Sequence, residues 1–144
     1  EEGHLRWDSL GEFCALGESL NFAAESIGNV KAGLLGKAVD AATQLLLAND
    51  KSPSRRVGQT DTRDSHFYFA LYWAQALAAQ TEDHDLANVF AELAAALADN
   101  EKIITAELAS TQGKPCDLGG YYHAASDKVA LVMRPSATLN SIVG

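Results

Sequence analysis

Basic side chains are concentrated in one short segment of an acidic chain. Within residues 51–63, KSPSRRVGQTDTR, the single acid is Asp61 and the cations are Lys51, Arg55, Arg56 and Arg63. The 144-residue chain has a formal net charge of −8, so four cations and one acid give this segment +3 and leave −11 on the remainder. A guanidinium group is planar, always charged and matched to paired phosphate oxygens. With the hydroxyls of Ser52 and Ser54 as further donors, the segment predicts a loop that binds an anion such as a phosphate.

A solvated loop, whose arginines pair with neighbouring acids, is the competing interpretation of the same residues. The residues alone favour it, because charged loops are usually just solvated. The anion-binding interpretation nevertheless has energetic weight. A charge-assisted hydrogen bond contributes about 1.5–3 kcal/mol, so one arginine could favour a phosphate about tenfold or more.

A second charged motif, HLRWDS, precedes the first predicted helix. Arg6 and Asp8 stand two residues apart and could flank a ligand's phosphate and hydroxyl groups, with Trp7 anchoring the turn between them. The alternative is that Asp8 caps the helix that follows and Arg6 pairs locally, because helix starts are the commoner reason for an aspartate at such a position.

The other reactive residue types form no recognisable site. The four histidines, His4, His66, His84 and His123, are scattered and lack the i, i+4 spacing of a helical metal site. His66 opens an apolar helix, where a hydrogen-bonded structural histidine is expected. Cys14 and Cys116 have no metal-ligand spacing, and nothing in the chain requires a disulfide between them. We therefore predict no catalytic and no metal-binding residue in this chain.

Hydrophobic periodicity predicts a helical bundle of about four main helices with an irregular C-terminal segment. Ser9 and Glu12 have the spacing of a capping box, and a stripe that includes Leu10, Phe13, Leu16, Leu20 and Ile27 follows it. Gly28-Asn29 supplies a stop. The second helix is predicted from Val30 to Ala48, with Leu34, Leu35, Ala38, Ala42, Leu45 and Leu46 on its buried face.

The remaining segments follow the basic loop, residues 49–62. The third helix, Ser65 to Gln80, is apolar nearly all round, which predicts a place in the middle of the bundle. Thr81 is predicted to cap a long fourth helix that ends at Gly113. Short helices are predicted over residues 126–133 and after Pro135, and residues 117–123 are expected to form a loop.

Composition fits one globular domain over residues 1–144. The hydrophobic fraction is 47% and the charged fraction 21%, and no apolar stretch is long enough to span a bilayer. The acidic balance argues against nucleic-acid binding, which needs a broad positive face. No signal peptide is visible, so we expect a cytoplasmic protein without a membrane partner. The chain begins at Glu1 and its only methionine is Met133, which suggests an excised piece.

Five motifs, in order, resemble the C-terminal part of the monomeric-type NADP-dependent isocitrate dehydrogenases of bacteria. They are LRWDSLGEF, KSPSRRVG, SHFYFALYWAQALAAQTED, GKPCDLGGYYH and MRPSATLN. The similarity runs from Glu2 to the end of the chain and corresponds to roughly the last fifth of a family member. It implies a segment of a larger two-domain α/β enzyme, in which it completes a smaller domain with the N-terminal part.

The resemblance implies oxidative decarboxylation of isocitrate to 2-oxoglutarate with NADP and Mg²⁺ or Mn²⁺. It carries the NADP contacts onto Arg6, Asp8 and Arg55. As a hypothesis, Arg6 and Arg55 meet the 2′-phosphate, while Asp8 orients an arginine or accepts a hydrogen bond from the ribose or adenine. The metal and isocitrate ligands of the family lie before Glu1, so the segment alone is expected to be inactive.

Two further expectations concern partners. The resemblance implies a monomeric complete enzyme, whose remaining polypeptide covers this segment; alone, the segment is expected to self-associate through exposed apolar helices. The alternative function is a stand-alone helical module that binds a nucleotide or a protein without catalysis.

Overall fold

The regular structure of the described residues is entirely helical. The computed structural model describes residues 3–144, which contain seven helices and no strand. The helices are α1 (Leu10–Ile27), α2 (Val30–Ala48), α3 (Thr62–Ala79), α4 (His84–Asp99), α5 (Glu101–Ala109), α6 (Ser126–Met133) and α7 (Ala137–Val143). The predicted mainly α bundle is confirmed. No helix among residues 3–144 combines the length and apolarity needed to cross a membrane.

Helices α1 and α2 form a close antiparallel hairpin. Gly28 ends α1 in the left-handed conformation (φ 67°), as the sequence predicts. A Cβ added at Gly36 would lie 2.3 Å from Oδ1 of Asn21, and one at Gly17 would lie 2.6 Å from Oδ1 of Asp40. The two contacts run in opposite order along the two helices, which shows that the helices are antiparallel. Because neither glycine has a side chain, the helix backbones can approach each other there.

Helix α3 lies in the middle of the bundle, as predicted. It packs against α2 on one side and α4 on the other, while α7 covers α4 and α5. The most deeply buried apolar side chains come from four different helices and share one core, which includes Val39, Leu46, Phe67, Leu77, Leu97 and Ile104.

The buried stripe predicted for α1 is only partly correct. Phe13 is buried, but Leu16 is 42% exposed and Ile27 is 76% exposed. On α2, Leu45 is also exposed, whereas the neighbouring Leu46 is fully buried. Helix α1 packs mainly on α2 at the edge of the bundle, so most of its circumference faces solvent.

The capping box predicted at Ser9 and Glu12 is wrong. Ser9 is buried but makes no capping hydrogen bond. Instead, Oδ1 of Asp8 accepts a hydrogen bond from the backbone N–H of Leu10 at 3.1 Å. The side chain that caps the start of α1 is therefore that of Asp8 and not that of Ser9. This supports the helix-start interpretation of Asp8.

A capping box does form at the start of α3, where the sequence interpretation missed it. The Asp61 carboxylate accepts from the backbone N–H groups of Arg63 and Asp64, and the Asp64 carboxylate accepts from the N–H of Asp61 at 3.0 Å. Helix α3 therefore begins at Thr62 rather than Ser65, and the basic loop is correspondingly shorter.

The long fourth helix predicted from Thr81 to Gly113 is two helices. Asp83, rather than Thr81, caps α4 by accepting from the N–H of Leu86 at 2.9 Å. The helix stops at Asn100, whose Nδ2 donates to the carbonyl of Ala96, and α5 starts again at Glu101. Asparagine side chains compete for backbone partners in this way. The two short C-terminal helices and the loop at residues 117–123 are confirmed.

Candidate functional site

The basic loop is closed on itself by backbone and side-chain hydrogen bonds. The N–H of Ser54 donates to the carbonyl of Thr60 at 2.7 Å, and that of Gln59 donates to the carbonyl of Arg56 at 3.3 Å. The Ser54 hydroxyl donates to Oε1 of Gln59 at 2.5 Å and accepts from the N–H of Arg56. The Ser54 hydroxyl proton is therefore used inside the loop, contrary to the expectation that it is free for an anion.

Two of the four predicted anion-binding cations are committed to the fold. Nζ of Lys51 lies 4.3 Å from the centre of the Tyr68 ring, a cation–π contact. Arg63 belongs to α3, and its side chain is 3% exposed and paired with Asp61, which is fully buried. Of the four cations, only Arg55 and Arg56 remain exposed on the loop.

Every N–H of the Arg63 guanidinium has a partner. Nε and Nη2 donate to the Asp61 carboxylate, and Nη2 also donates to the carbonyl of Gly3 at 2.5 Å. Nη1 donates to Oγ1 of Thr111 at 2.7 Å and to the carbonyl of Val132 at 2.6 Å. This ion pair joins the N-terminal segment, the end of α5 and α6 to the start of α3. It is structural rather than available to a ligand.

The inner side of the loop borders an acidic, polar cleft of about 690 Å³. Asp50 and Asp64 line it, together with Ser52, Ser54, Tyr68 and Thr105. Burial raises the pKa of Asp64, and burial together with the hydrogen bond to Glu101 raises the pKa of Tyr68. None of the loop arginines lines this cleft. An anion therefore fits the outer, arginine-bearing side of the loop and not the cleft.

The three residues predicted to bind the cofactor lie at the surface. Arg6, Asp8 and Arg55 are all exposed, as is Arg56. None of the four ion pairs found within residues 3–144 involves Arg6, Arg55 or Arg56. Within the described part of the chain, these guanidinium groups are therefore not neutralised by pairing, contrary to the solvated-loop interpretation in which they bind neighbouring acids.

The structure brings the two charged motifs together although about fifty residues separate them. Nε2 of His4 lies 2.7 Å from the carbonyl oxygen of Ser54. The N–H of Thr62 donates to the carbonyl of Leu5 at 2.9 Å, and its hydroxyl donates to the carbonyl of Trp7 at 2.7 Å. The segment that carries Arg6 and Asp8 is therefore held beside the loop that carries Arg55.

Gln112, which the sequence interpretation missed, lies between these two segments. Its Oε1 accepts from the N–H of Gly58 at 2.7 Å and lies 2.9 Å from Nδ1 of His4. Its Nε2 donates to the carbonyl of Gln59 at 3.0 Å. Both partners of the His4 ring, Oε1 of Gln112 and the carbonyl oxygen of Ser54, are hydrogen-bond acceptors. No local pattern around Gln112 marks it, since its partners lie 53 or more positions away.

The remaining histidine and cysteine side chains build no reactive centre in the described part of the chain. Nδ1 of His66 lies 2.8 Å from the carbonyl of Thr62, and its ring meets Phe13 edge-on, so it is the structural histidine expected. Cys14 and Cys116 are exposed free thiols. Within residues 3–144, no group of three His, Cys, Asp or Glu side chains could hold a metal ion.

Comparison with known protein families gives one match over the full chain. A family model described as monomeric isocitrate dehydrogenase matches residues 1–144. The chain belongs to this family. The resemblance carried by the five sequence motifs is confirmed.

Similar members of the monomeric isocitrate dehydrogenase family come from several bacteria. The chain is 56% identical to the NADP isocitrate dehydrogenase of Azotobacter vinelandii over 98% of its length. It is 57% identical to NADP isocitrate dehydrogenase 2 of Mycobacterium tuberculosis over 98%, and 53% identical to the Corynebacterium efficiens enzyme over 99%. The aligned regions cover 19%, 19% and 20% of these relatives, so the chain spans about one fifth of their length.

Proposed function

We propose that this chain is the C-terminal segment of a longer isocitrate dehydrogenase. The complete enzyme would oxidatively decarboxylate isocitrate to 2-oxoglutarate with NADP, and this segment would supply part of the NADP site. Membership of the monomeric isocitrate dehydrogenase family supports the proposal, as do relatives that are named for NADP. Residues 1–144 would form one helical unit that docks on the remainder of a monomeric polypeptide.

The pairing of the two charged motifs is the observation that carries the proposal. The contact between His4 and the Ser54 carbonyl places Arg6, two residues along the chain, and Arg55, one residue along, on adjoining backbone. Both guanidinium groups are exposed, and neither forms an ion pair within residues 3–144. Two such groups suit the 2′-phosphate that distinguishes NADP from NAD, because guanidinium groups bind phosphate oxygens with charge-assisted hydrogen bonds.

Asp8 would serve the cofactor's neutral groups. Its Oδ1 accepts from the N–H of Leu10, while the carboxylate as a whole remains exposed. A second oxygen is therefore free to accept from a ribose hydroxyl or an adenine amine, or to orient Arg6. In this assignment the Asp8 carboxylate lies at the edge of the phosphate site, where it would repel the phosphate less than it would inside the site.

The metal and the reacting carbon atoms would be held by the rest of the enzyme. Mg²⁺ or Mn²⁺ would supply a Lewis acid that stabilises developing negative charge on the substrate oxygen. The described residues contain no group of ligands for such an ion. The contribution of this segment would therefore be to bind and orient NADP, and the segment alone would be inactive.

Arg55 and Arg56 provide a matched pair of variants for the test. Both are exposed neighbours on the same loop, and Arg55→Gln and Arg56→Gln remove the same charge. In the complete enzyme we expect Arg55→Gln to raise the KM for NADP about tenfold or more, with KM for isocitrate unchanged, because a charge-assisted contact is lost. Arg56→Gln should change the KM for NADP much less.

Steady-state kinetics of both variants with NADP, and with NAD as the alternative cofactor, would decide between the outcomes. An unchanged KM for NADP in Arg55→Gln would contradict the assignment. Equal losses in the two variants would mean that the loop acts through its general charge and that Arg55 makes no specific contact.

A further inference from the structure

Gln112 is a buried amide whose polar contacts all reach across the fold. It follows α5 and is 9% exposed, and its carbonyl and amino groups contact the loop at residues 58 and 59 and the ring of His4. Burying an amide is unfavourable unless its hydrogen bonds are satisfied. Here the same side chain satisfies groups of two separate segments, so it fixes their relative position.

His4 completes the connection. Its ring lies between the Gln112 carbonyl at 2.9 Å and the Ser54 carbonyl at 2.7 Å. Together, His4 and Gln112 hold the loop at positions 54, 58 and 59, and we name this set of contacts the His4–Gln112 clamp. The only loop residues between the held positions are 55–57, which include Arg55.

The chemistry of the clamp explains why it is specific. The N–H of Gly58 can only donate and the carbonyl of Gln59 can only accept, so together they determine which end of the Gln112 amide faces His4. Charged groups also surround His4. They contact the residues on either side of it: Asp61 accepts from the N–H of Leu5 at 3.4 Å, and Arg63 donates to the carbonyl of Gly3.

We propose that His4 and Gln112 are positioning residues for the cofactor, which set the place of Arg55 relative to Arg6 and Asp8 without touching NADP. This inference rests on the proposed NADP site. The clamp grips the loop on both sides of Arg55 and grips the N-terminal segment two residues before Arg6. Without the clamp, the guanidinium groups of Arg6 and Arg55 would both be present. They would no longer be held at the fixed separation that binding one phosphate requires.

Gln112→Leu removes the polar contacts and keeps a side chain of similar size. Gln80 offers a matched control, because it also closes a turn through backbone groups, accepting from the N–H of Glu82 and of Asp83 and donating to the carbonyl of Asp83. In the complete enzyme we expect Gln112→Leu to raise the KM for NADP about five- to tenfold with kcat nearly unchanged. Gln80→Leu should lower the melting temperature without changing the KM for NADP.

A double-variant cycle separates positioning from general destabilisation. If Gln112 acts through Arg55, Gln112→Leu should add little to the KM for NADP in an enzyme that already carries Arg55→Gln. His4→Phe, which keeps a flat ring but no hydrogen bonds, should behave like Gln112→Leu. Gln112→Met keeps an unbranched side chain of similar length without the amide, so it provides a second variant if Gln112→Leu does not fold.

The possible outcomes distinguish the two proposals. An unchanged KM for NADP in Gln112→Leu or Gln112→Met would overturn the positioning inference, as would effects of Gln112→Leu and Arg55→Gln that multiply independently. An unchanged KM for NADP in Arg55→Gln alone would instead overturn the proposed cofactor site, and the inference with it.

Discussion

Asp61 and Asp64 share one capping box but have different partners. Asp61 is fully buried and faces the guanidinium of Arg63, whereas the Asp64 carboxylate accepts from the N–H of Asp61 and lines the acidic cleft. Burial raises the pKa of Asp64, with the neighbouring charge of Asp61 as a smaller cause. Protonated Asp64 therefore stabilises the fold at pH values below 3.8, and this contribution is lost as the pH rises through its folded-state pKa.

The same substitution should consequently have opposite effects at the two positions. Asp61→Asn leaves the buried Arg63 guanidinium without its counter-charge and should lower the free energy of unfolding by about 3–5 kcal/mol. Asp64→Asn keeps an acceptor for the N–H of Asp61 and removes a carboxylate that burial disfavours, so stability at pH 7 should be equal or higher. Urea unfolding followed by circular dichroism would measure both. A free energy of unfolding that falls more for Asp64→Asn than for Asp61→Asn would contradict the different roles given to the two carboxylates.

Sequence patterns identified the cations of the loop but not their partners. The side chain of Arg63 cannot be separated from Arg55 and Arg56 by residue type or spacing. Its burial depends on the carbonyls of Gly3 and Val132, which lie 60 and 69 positions away. The same is true of Gln112. The residues of the candidate site could be predicted because they belong to sequence motifs. The residues that hold those motifs in place could not be predicted, because their partners lie far away in the chain.

Gly36 on α2 faces Asn21 on α1 with no room for a larger side chain. At Gly36 an added Cβ would overlap the side chain of Asn21, while at Gly11, in the first turn of α1, it would meet nothing within 4 Å. Gly36→Ala should therefore destabilise the chain, because overpacking costs about 1–3 kcal/mol and offsets the helix-propensity gain of about 1 kcal/mol. Gly11→Ala should show only the gain. Thermal unfolding of the two variants would test the contrast, and equal melting temperatures would count against close packing at Gly36.

The carboxylate of Glu107 on α5 accepts three hydrogen bonds from the start of α7. Glu107 accepts from the hydroxyl of Ser136 at 2.6 Å and from the N–H and hydroxyl of Thr138 at 3.1 and 2.9 Å. The bond from Ser136 is the largest cause of a lowered pKa at Glu107, followed by the backbone bond from Thr138. The ionised carboxylate thus favours the docked helix. Its contribution is present above pH 4.5 and is lost as the pH falls through the lowered pKa.

Acid should therefore loosen α7 before the bundle unfolds. As the pH falls from 6 to 3, the protection factors of the backbone amides of residues 138–143 should decrease, while those of α3 stay high. Glu107→Gln should remove this pH dependence. Simultaneous loss of protection in α3 and α7 would show that α7 does not respond independently.

Helix limits could be predicted where the sequence marks them. Gly28 and the stretch from Val30 to Ala48 gave α1 and α2 correctly. The division between α4 and α5 could not be predicted, because the apolar spacing of Leu97, Ile104 and Leu108 continues through Asn100 as if the helix did too. Hydrophobic periodicity shows which face of a helix is buried. It does not reveal a break at which a side chain such as that of Asn100 replaces one backbone hydrogen bond.

An apolar groove of about 470 Å³ lies between α3 and the C-terminal helices. Its lining is mostly apolar and includes Trp7, Phe67, Met133, Leu139 and Val143. When the chain is produced alone, we expect concentration-dependent association through this groove. Sedimentation velocity over a wide concentration range would detect it, and Val143→Lys, which places a charge at a half-exposed position of the lining, should weaken it. A monomer at every concentration would contradict the prediction.

The native polypeptide should be much larger than 15.3 kDa. The matched region is 19% of the Azotobacter vinelandii relative, so a complete enzyme would be roughly five times the mass of this chain. An immunoblot of the source cells with an antibody against residues 3–144 would measure it, and isocitrate-dependent reduction of NADP should follow the large band through purification. A band near 15.3 kDa would instead favour a stand-alone helical module.

The His4–Gln112 clamp joins residues 108 positions apart in the chain. Such a contact closes a long loop, and its entropic cost is recovered only after the intervening helices have packed. We therefore expect the two charged motifs to meet late in folding, after α2, α3 and α4 have assembled. By the same reasoning, we expect the N-terminal segment to open at a lower free energy than the bundle. If the proposed NADP site is correct, cofactor affinity would then be lost under milder conditions than helical structure.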